Sequence, residues 1–296
     1  MAEQALRLLF ADATDAHLVG VTGPPGSGKS TLVSALVAEA RRAGRAVAVL
    51  AIDPSSPVTG GAILGDRIRM QQYAGDPGVF IRSMAARGHQ GGLAGSTAEA
   101  AAVLAACGFK LVFIETVGTG QSEVEVAAIA DTTLVVQAPG MGDEVQAIKA
   151  GLLEVADIVV VNKSDRPGAD HTAAQLRAML SVSTAADAAA AARGRPRPKR
   201  PDVRLASGLT GAGTAELLVT IDRLHEGRAS TATSLEKRRA RARTQIEGIA
   251  AERARAALWS TRNDADPEAI LEAVARHELD PYEATDRLLT PMDVPD

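Results

Sequence analysis

The amino-acid sequence predicts an α/β fold, with a mostly parallel central sheet flanked by helices and a helical region at its C-terminal end. Three observations predict it. Short β-rich apolar runs recur along the chain, and longer Ala/Leu-rich stretches separate most of them, the alternation expected of strands joined by crossover helices. Within each run the apolar residues are nearly continuous rather than alternating, as in strands buried on both faces. Finally, Gly23, Asp53, Glu115 and Asn162 each follow one of these runs, which is where open α/β sheets place their ligand-binding loops.

The elements follow in order. Strands are expected at HLVGVTG, AVAVLAID, GVFIRS, KLVFIET, TTLVVQA and DIVVVNK, and VRLASGL then returns to the sheet. Before VRLASGL lies STAADAAAAARGRPRPKRPD, an Ala run that passes into alternating Arg and Pro. Proline lacks an amide proton and clashes with the preceding helical turn, so this segment is expected as an exposed loop. Its five basic residues between Arg193 and Arg200 are expected to be solvated, with docking of an acidic partner or phosphate as the alternative. After about Gly227 the chain turns helical and basic, with Leu235, Ala242, Ile246, Ile249 and Ala257 as an incomplete apolar stripe. Asp266-Pro267 and Asp280-Pro281 signal two further short helices, each pairing an N-cap carboxylate with proline at the first helical position. Two regions are therefore expected, residues 1–228 as the α/β domain and 229–296 as a helical appendage.

A chain of 296 residues, 46% hydrophobic and 23% charged, has ample material for one large core. Its formal net charge of -4 gives no global attraction to nucleic acid or to an anionic membrane, and neither is an expected partner. MAEQALRLLFADATDAH has neither a basic leader before an apolar run nor a small-residue cleavage site, and no run is apolar for the length of a membrane span. A cytoplasmic protein is expected. The single cysteine, Cys107 in AAVLAACGF, permits no intramolecular disulfide and is expected as a buried structural thiol. His17, His89, His171, His225 and His277 lack ligand spacing and are expected as surface or packing residues.

The chemistry begins at HLVGVTGPPGSGKSTLVSAL, which carries the phosphate-loop pattern at Gly23, Gly28, Lys29 and Ser30, between a strand and an amphipathic helix. The loop running from Gly23 through Pro24, Pro25, Gly26, Ser27 and Gly28 to Lys29, Ser30 and Thr31 turns backbone amides inward around phosphate oxygens, and the helix N-terminus adds partial positive charge. In this setting Lys29 reaches the β and γ phosphates and the Ser30 hydroxyl ligates magnesium. LVFIETVGTGQ then places Glu115 at a strand end and Gly118 three residues on. Glu115 can hold magnesium through water or place the attacking water, and the Gly118 amide can sense the γ phosphate.

VVVNKSD supplies the selection of the base. The Asp165 carboxylate can accept two hydrogen bonds, from N1–H and the exocyclic amine of guanine, a donor pair that adenine lacks. The apolar stem of Lys163 would lie along the base, and Asn162 would tie this loop to the phosphate loop. SGLTGAG, with Ser207, Gly208 and Leu209, is expected as a second base-contacting loop. Asp53 in LAIDPSSP and Asp66 in GGAILGDRIRM complete the acidic set. Asp53 follows a strand and can ligate magnesium through water, whereas Asp66 can do so in one nucleotide state of a loop that rearranges. Arg67 and Arg69 are open between salt bridges and phosphate contact.

With these residues in hand, the chain resembles the MeaB/ArgK family of P-loop GTPases, relatives of the signal-recognition-particle class. The resemblance rests on GPPGSGKST, DPSSPVTGGAILGDRIRM, FIRSMAARGHQGGLA, FIETVGTGQSE, PGMGDEVQAIKAGLLEVADIVVVNKSD and DPYEATDRLL. It implies a P-loop GTPase fold, GTP as substrate with magnesium, and a partner, an adenosylcobalamin-dependent acyl-CoA mutase such as methylmalonyl-CoA mutase. Such proteins gate cofactor loading and protect the mutase, and cobalamin is not expected to be bound by this chain itself. The resemblance also implies that Lys29, Ser30, Asp53, Asp66 and Glu115 form the phosphate, magnesium and switch machinery, and that Asn162 and Asp165 read guanine. Lys149, in QAIKAG, falls in a segment resembling a third switch, with a role in partner-stimulated hydrolysis, and the basic C-terminal helix corresponds to a homodimerisation arm. The segment before the phosphate loop is shorter than the family's usual helical extension, and the Ala/Arg/Pro-rich loop is atypical. A nickel-inserting GTPase, a kinase of the same fold and a module binding nucleotide only structurally are the competing functions. A His-rich or paired Cys/His site would mark the first, phosphate transfer to an acceptor the second, and absence of turnover the third.

Overall fold

The computed structural model describes residues 8–9, 16–54, 70–73, 75–86, 92–116, 126–140, 150–191, 201–229, 232–259 and 266–289. Its first strand, β1 (His17–Thr22), is buried along its whole length because it runs through the middle of a seven-stranded sheet. The other strands are β2 (Val47–Pro54), β3 (Val79–Ala86), β4 (Leu111–Thr116), β5 (Thr132–Gln137), β6 (Ile158–Val161) and β7 (Asp202–Leu205). Their order is β3-β2-β4-β1-β5-β6-β7, and every described pairing is parallel. The helices of this part of the chain are α1 (Lys29–Arg42), α2 (Gly92–Ala106), α3 (Ala150–Val155), α4 (Ala169–Ala191) and α5 (Thr214–Ala229).

The continuous apolar runs now have their physical cause. Alternate residues of each central strand enter different cores: Val19, Val21, Leu111, Phe113, Leu134, Val136, Ile158 and Val160 pack on one face with Leu32, Val33, Leu36 and Val37 of α1 and Leu217 and Ile221 of α5. On the other face Leu18, Val112 and Ile114 meet Ala98, Ala101 and Leu104 of α2. Farther along that face, Val135, Val159 and Val161 meet Leu152 of α3 and Ala169, Ala173 and Leu176 of α4. Each large side chain so buried contributes about 1.5–3 kcal/mol, which both faces of the sheet collect. From β1 the chain leaves for β2 on one side, and after β4 it crosses to β5 on the other. The carboxyl end of β1 is thus a topological switch point, the place where such sheets bind ligands.

Cys107 is exposed, because α2 ends at Ala106 and the chain turns at Gly108, whose φ of 94 closes the helix with bonds from Gly108 N to Ala105 O and Phe109 N to Leu104 O. The thiol sits on that turn rather than on the Ala98, Ala101 and Leu104 stripe. The Ala run expected as loop is instead the last part of α4, which continues to Ala191. Alanine is the strongest helix former, and the run is helical as far as Ala191. Residues 193–200 lie outside the described residues. His89 lies outside the described residues; His17 is buried, with Nε2 2.9 Å from Thr132 Oγ1, and its ring stacks on His225 with centroids 4.0 Å apart. His171 and His277 are exposed.

The chain divides into compact units Met1–Ala242 and Arg243–Asp296, so the division falls inside α6 (Ala232–Leu258). The second unit holds α7 (Pro267–Ala275) and α8 (Pro281–Leu289). Both start as their Asp-Pro pairs dictate. The Asp266 side chain accepts from Glu268 N, and Asp280 Oδ1 accepts from Tyr282 N at 2.8 Å and Glu283 N at 3.1 Å. Leu279, Ala284 and Leu288 are buried in this unit, while Ile246, Leu271 and Tyr282 are exposed.

Candidate functional site

The phosphate-loop pattern lies between the end of β1 and the start of α1. Gly23 has φ 139, and a Cβ there would lie 2.2 Å from the Val136 carbonyl oxygen of β5; only glycine lets the chain leave β1 along this path. The loop closes with Ser27 N donating to Pro24 O at 3.3 Å, and α1 begins at Lys29 behind Gly28. Lys29 is only 6% exposed. Its Nζ donates to the carbonyls of Gly23, at 2.8 Å, and Pro24, at 3.0 Å, so the ammonium lies along the inner edge of the loop at a helix N-terminus, a combination suited to anions.

Across the sheet, β4 brings Glu115 to the same end. Strand alternation explains its direction: Leu111 and Phe113 face α1, and Glu115 shares their side. The Ser30 hydroxyl donates to Glu115 Oε1 at 2.5 Å, and both residues are buried. A hydroxyl and a carboxylate held together beside a phosphate loop form an oxygen donor set that fits a hard divalent cation. On the opposite face, Thr116 Oγ1 donates to Thr22 Oγ1 at 3.2 Å. Asp53 lies near the end of β2, in register with Ala85 of β3; its side chain is outside the described residues. So are Asp66, Arg67, Arg69, Gly118 and Lys149.

The second half of the site follows β6. Asn162 is buried, and its Nδ2 donates to Ser27 O at 2.9 Å and Gly28 O at 3.1 Å, while its Oδ1 accepts from Gly208 N at 3.0 Å. One amide thus joins the phosphate loop to the loop after β7. Lys163, with φ 58, extends back to donate from Nζ to Gly26 O at 2.6 Å. Ser207 Oγ donates to Asp165 Oδ1 at 2.5 Å, and this bond is the main reason that the Asp165 carboxyl titrates below its ordinary value. The Ser207 hydroxyl also accepts from Thr210 N at 3.2 Å. Gly208 packs against the first turns of α1 so closely that a Cβ would lie 2.7 Å from Leu32 N. Leu209 is 80% exposed, two residues after the Ser207 that bonds the exposed Asp165, an arrangement in which a flat base can be bounded by one apolar side chain and read by one carboxylate.

Sequence reasoning missed Gln137, the last residue of β5, whose carbonyl accepts from Asn162 N at 2.8 Å and whose side chain is buried. The available signal was a lone amide closing the apolar run TTLVVQ. It also missed Ala206, whose carbonyl accepts from Ser164 N; a backbone contact leaves no mark in residue type. Among the described residues, no helix is long and apolar enough to cross a membrane.

Residues 1–263 match the family model for the methylmalonyl Co-A mutase-associated GTPase MeaB. A Pyrococcus horikoshii protein provisionally named as a GTPase is 44% identical over 292 residues, 97% of this chain and 88% of its own. The GTPase ArgK of Escherichia coli is 49% identical over 154 residues, 52% of this chain and 46% of its own. Among solved structures, one named as a LAO/AO transport system kinase superposes with a TM-score of 0.65 at 27% identity, covering 97% of this chain and 84% of that one.

Proposed function

This chain belongs to the MeaB family of methylmalonyl-CoA mutase-associated GTPases, and on that premise we propose that it couples magnesium-dependent GTP hydrolysis to the loading and protection of an adenosylcobalamin-dependent acyl-CoA mutase. GTP hydrolysis itself follows from the family. The observation that carries the assignment to this site is the Asn162 side chain, which holds the phosphate loop and the Asp165–Ser207 loop as one frame.

In this mechanism Asp165, oriented by Ser207, accepts from N1–H and the exocyclic amine of guanine and so discriminates against ATP. Lys29 leaves the carbonyls of Gly23 and Pro24 for the β and γ phosphate oxygens. Ser30 and Glu115, with Asp53 and Asp66, would hold magnesium, which when bound neutralises charge on the phosphate oxygens. Glu115 orients the attacking water. Gly118 reports the γ phosphate and Lys149 answers the partner. Residues 229–296 serve homodimerisation, and the protein works in the cytoplasm.

The test is phosphate release from GTP, with ATP as control, by the purified protein alone and with the cobalamin-dependent mutase of the same organism. Stimulation with GTP only, with GDP and free phosphate as the only products and a complex on gel filtration, is the expected result. A rate indifferent to the mutase with no complex would remove the partnership and leave the GTPase.

A further inference from the structure

Gln137 is 1% exposed, yet neither Oε1 nor Nε2 has a hydrogen-bond partner among the described residues. A buried amide in that condition lowers stability, and its strand offers no structural reason for it: Val135, two residues earlier on the same face, packs among Leu152, Val159 and Val161. An apolar side chain would suit that face better. The position is also where the site converges. The neighbouring Val136 carbonyl faces Gly23, and the Gln137 carbonyl receives Asn162 N–H.

The same face carries two more buried polar groups at this end of the sheet, the hydroxyls of Thr22 and Thr116. Thr22 is in register with Val135, so Gln137 lies one strand over and two residues on, about 8 Å away between Cα atoms by strand geometry. That spacing suits one bridging water between the Gln137 amide and the Thr22 hydroxyl. A neutral amide offering both a donor and an acceptor matches water, which needs two to four polar partners to be held; a phosphate oxygen would engage only the donor.

We propose that Gln137 is a positioning residue for GTP hydrolysis: with Thr22 it holds an ordered water beneath the phosphate loop, and this water fixes the end of β5 against Gly23 and Asn162. The proposal rests on the assignment of GTP hydrolysis, not on that of the mutase. Stability is given up at this position for geometry in the reacting state.

Gln137→Met, which conserves volume, is the test, with wild type measured beside it. The expected result is a fall in kcat of about tenfold, a KM for GTP and a GDP affinity within about twofold of wild type, and a melting temperature not below wild type. In isotope-labelled wild type, the Gln137 side-chain amide protons show a cross-relaxation signal to water that disappears in Thr22→Val. An unchanged kcat in the variant would overturn the proposal, as would a melting temperature and kcat that fall together, or an amide without the water signal. Wild type that fails to release phosphate from GTP would instead remove the hydrolytic assignment beneath it.

Discussion

The Ser30 hydroxyl donates to the Glu115 carboxylate at 2.5 Å, joining the first turn of the phosphate helix to the end of β4 across 85 residues of chain. Both are buried at the carboxyl end of the sheet, where a hydroxyl and a carboxylate can meet only if the two elements are held rigidly. Removing either should therefore affect chemistry more than nucleotide affinity. For Ser30→Ala, kcat/KM for GTP is expected to fall about 10²-fold, with loss of magnesium dependence and a GDP affinity, measured without magnesium, near that of wild type. A variant retaining full magnesium-dependent turnover would exclude Ser30 from the metal site.

Asn162→Ala should act on both loops at once. Three hydrogen bonds disappear, at a net cost of about 1 kcal/mol each, so unfolding in denaturant should show roughly 2–4 kcal/mol of lost stability together with a raised KM for GTP. Loss of stability with unchanged nucleotide affinity would mean that the frame serves folding only.

Gly208→Ala reaches the same frame from the other side. Its Cβ would meet the backbone of Leu32 at 2.7 Å, which a flexible side chain cannot relieve, and a destabilisation of about 1–3 kcal/mol is expected. Gly75, where a Cβ would meet nothing within 4 Å among the described residues, is the control: Gly75→Ala should leave the melting temperature nearly unchanged.

The acid limb of stability has an identifiable contributor. Asp76 is held below its ordinary pKa first by the hydrogen bond from Arg41 and next by the Gly78 amide. A depressed folded pKa gives stability that is fully present above the ordinary value of 3.8 and is lost as pH falls through the lower folded value. In thermal melts taken from neutral pH downward, wild type should thus lose more stability below about pH 4 than Asp76→Asn. Parallel curves would exclude the pair as a source of acid sensitivity.

Much of this was legible in the sequence, and the remainder was hidden for physical reasons. The strands were legible because burial on two faces leaves continuous runs such as LVFIE, and the Asp266-Pro267 and Asp280-Pro281 starts because capping is local. The residue types at Gly23 to Thr31 and Asn162 to Asp165 marked the loops. Hidden were pairings set by tertiary structure: Ser30 with Glu115, Ser207 with Asp165, and the close approach of Gly208 to Leu32. Cys107 and the end of α4 were misjudged because each turned on where a helix stops. Ala residues read the same in a buried stripe, at an exposed turn and in a helix that reaches Ala191.

Asp165 carries the central claim, that this site is built for guanine, and the most direct measurement is hydrolysis of GTP and XTP by wild type and Asp165→Asn. Xanthine replaces the exocyclic amine of guanine with a carbonyl, so an asparagine amide, able to donate where the carboxylate accepted, should pair with it. The expected result is a reversal: kcat/KM for GTP falls by about 10²-fold or more in the variant, and XTP becomes its better substrate. A variant that still prefers GTP would contradict the placement of the base between Asp165, Ser207 and Leu209.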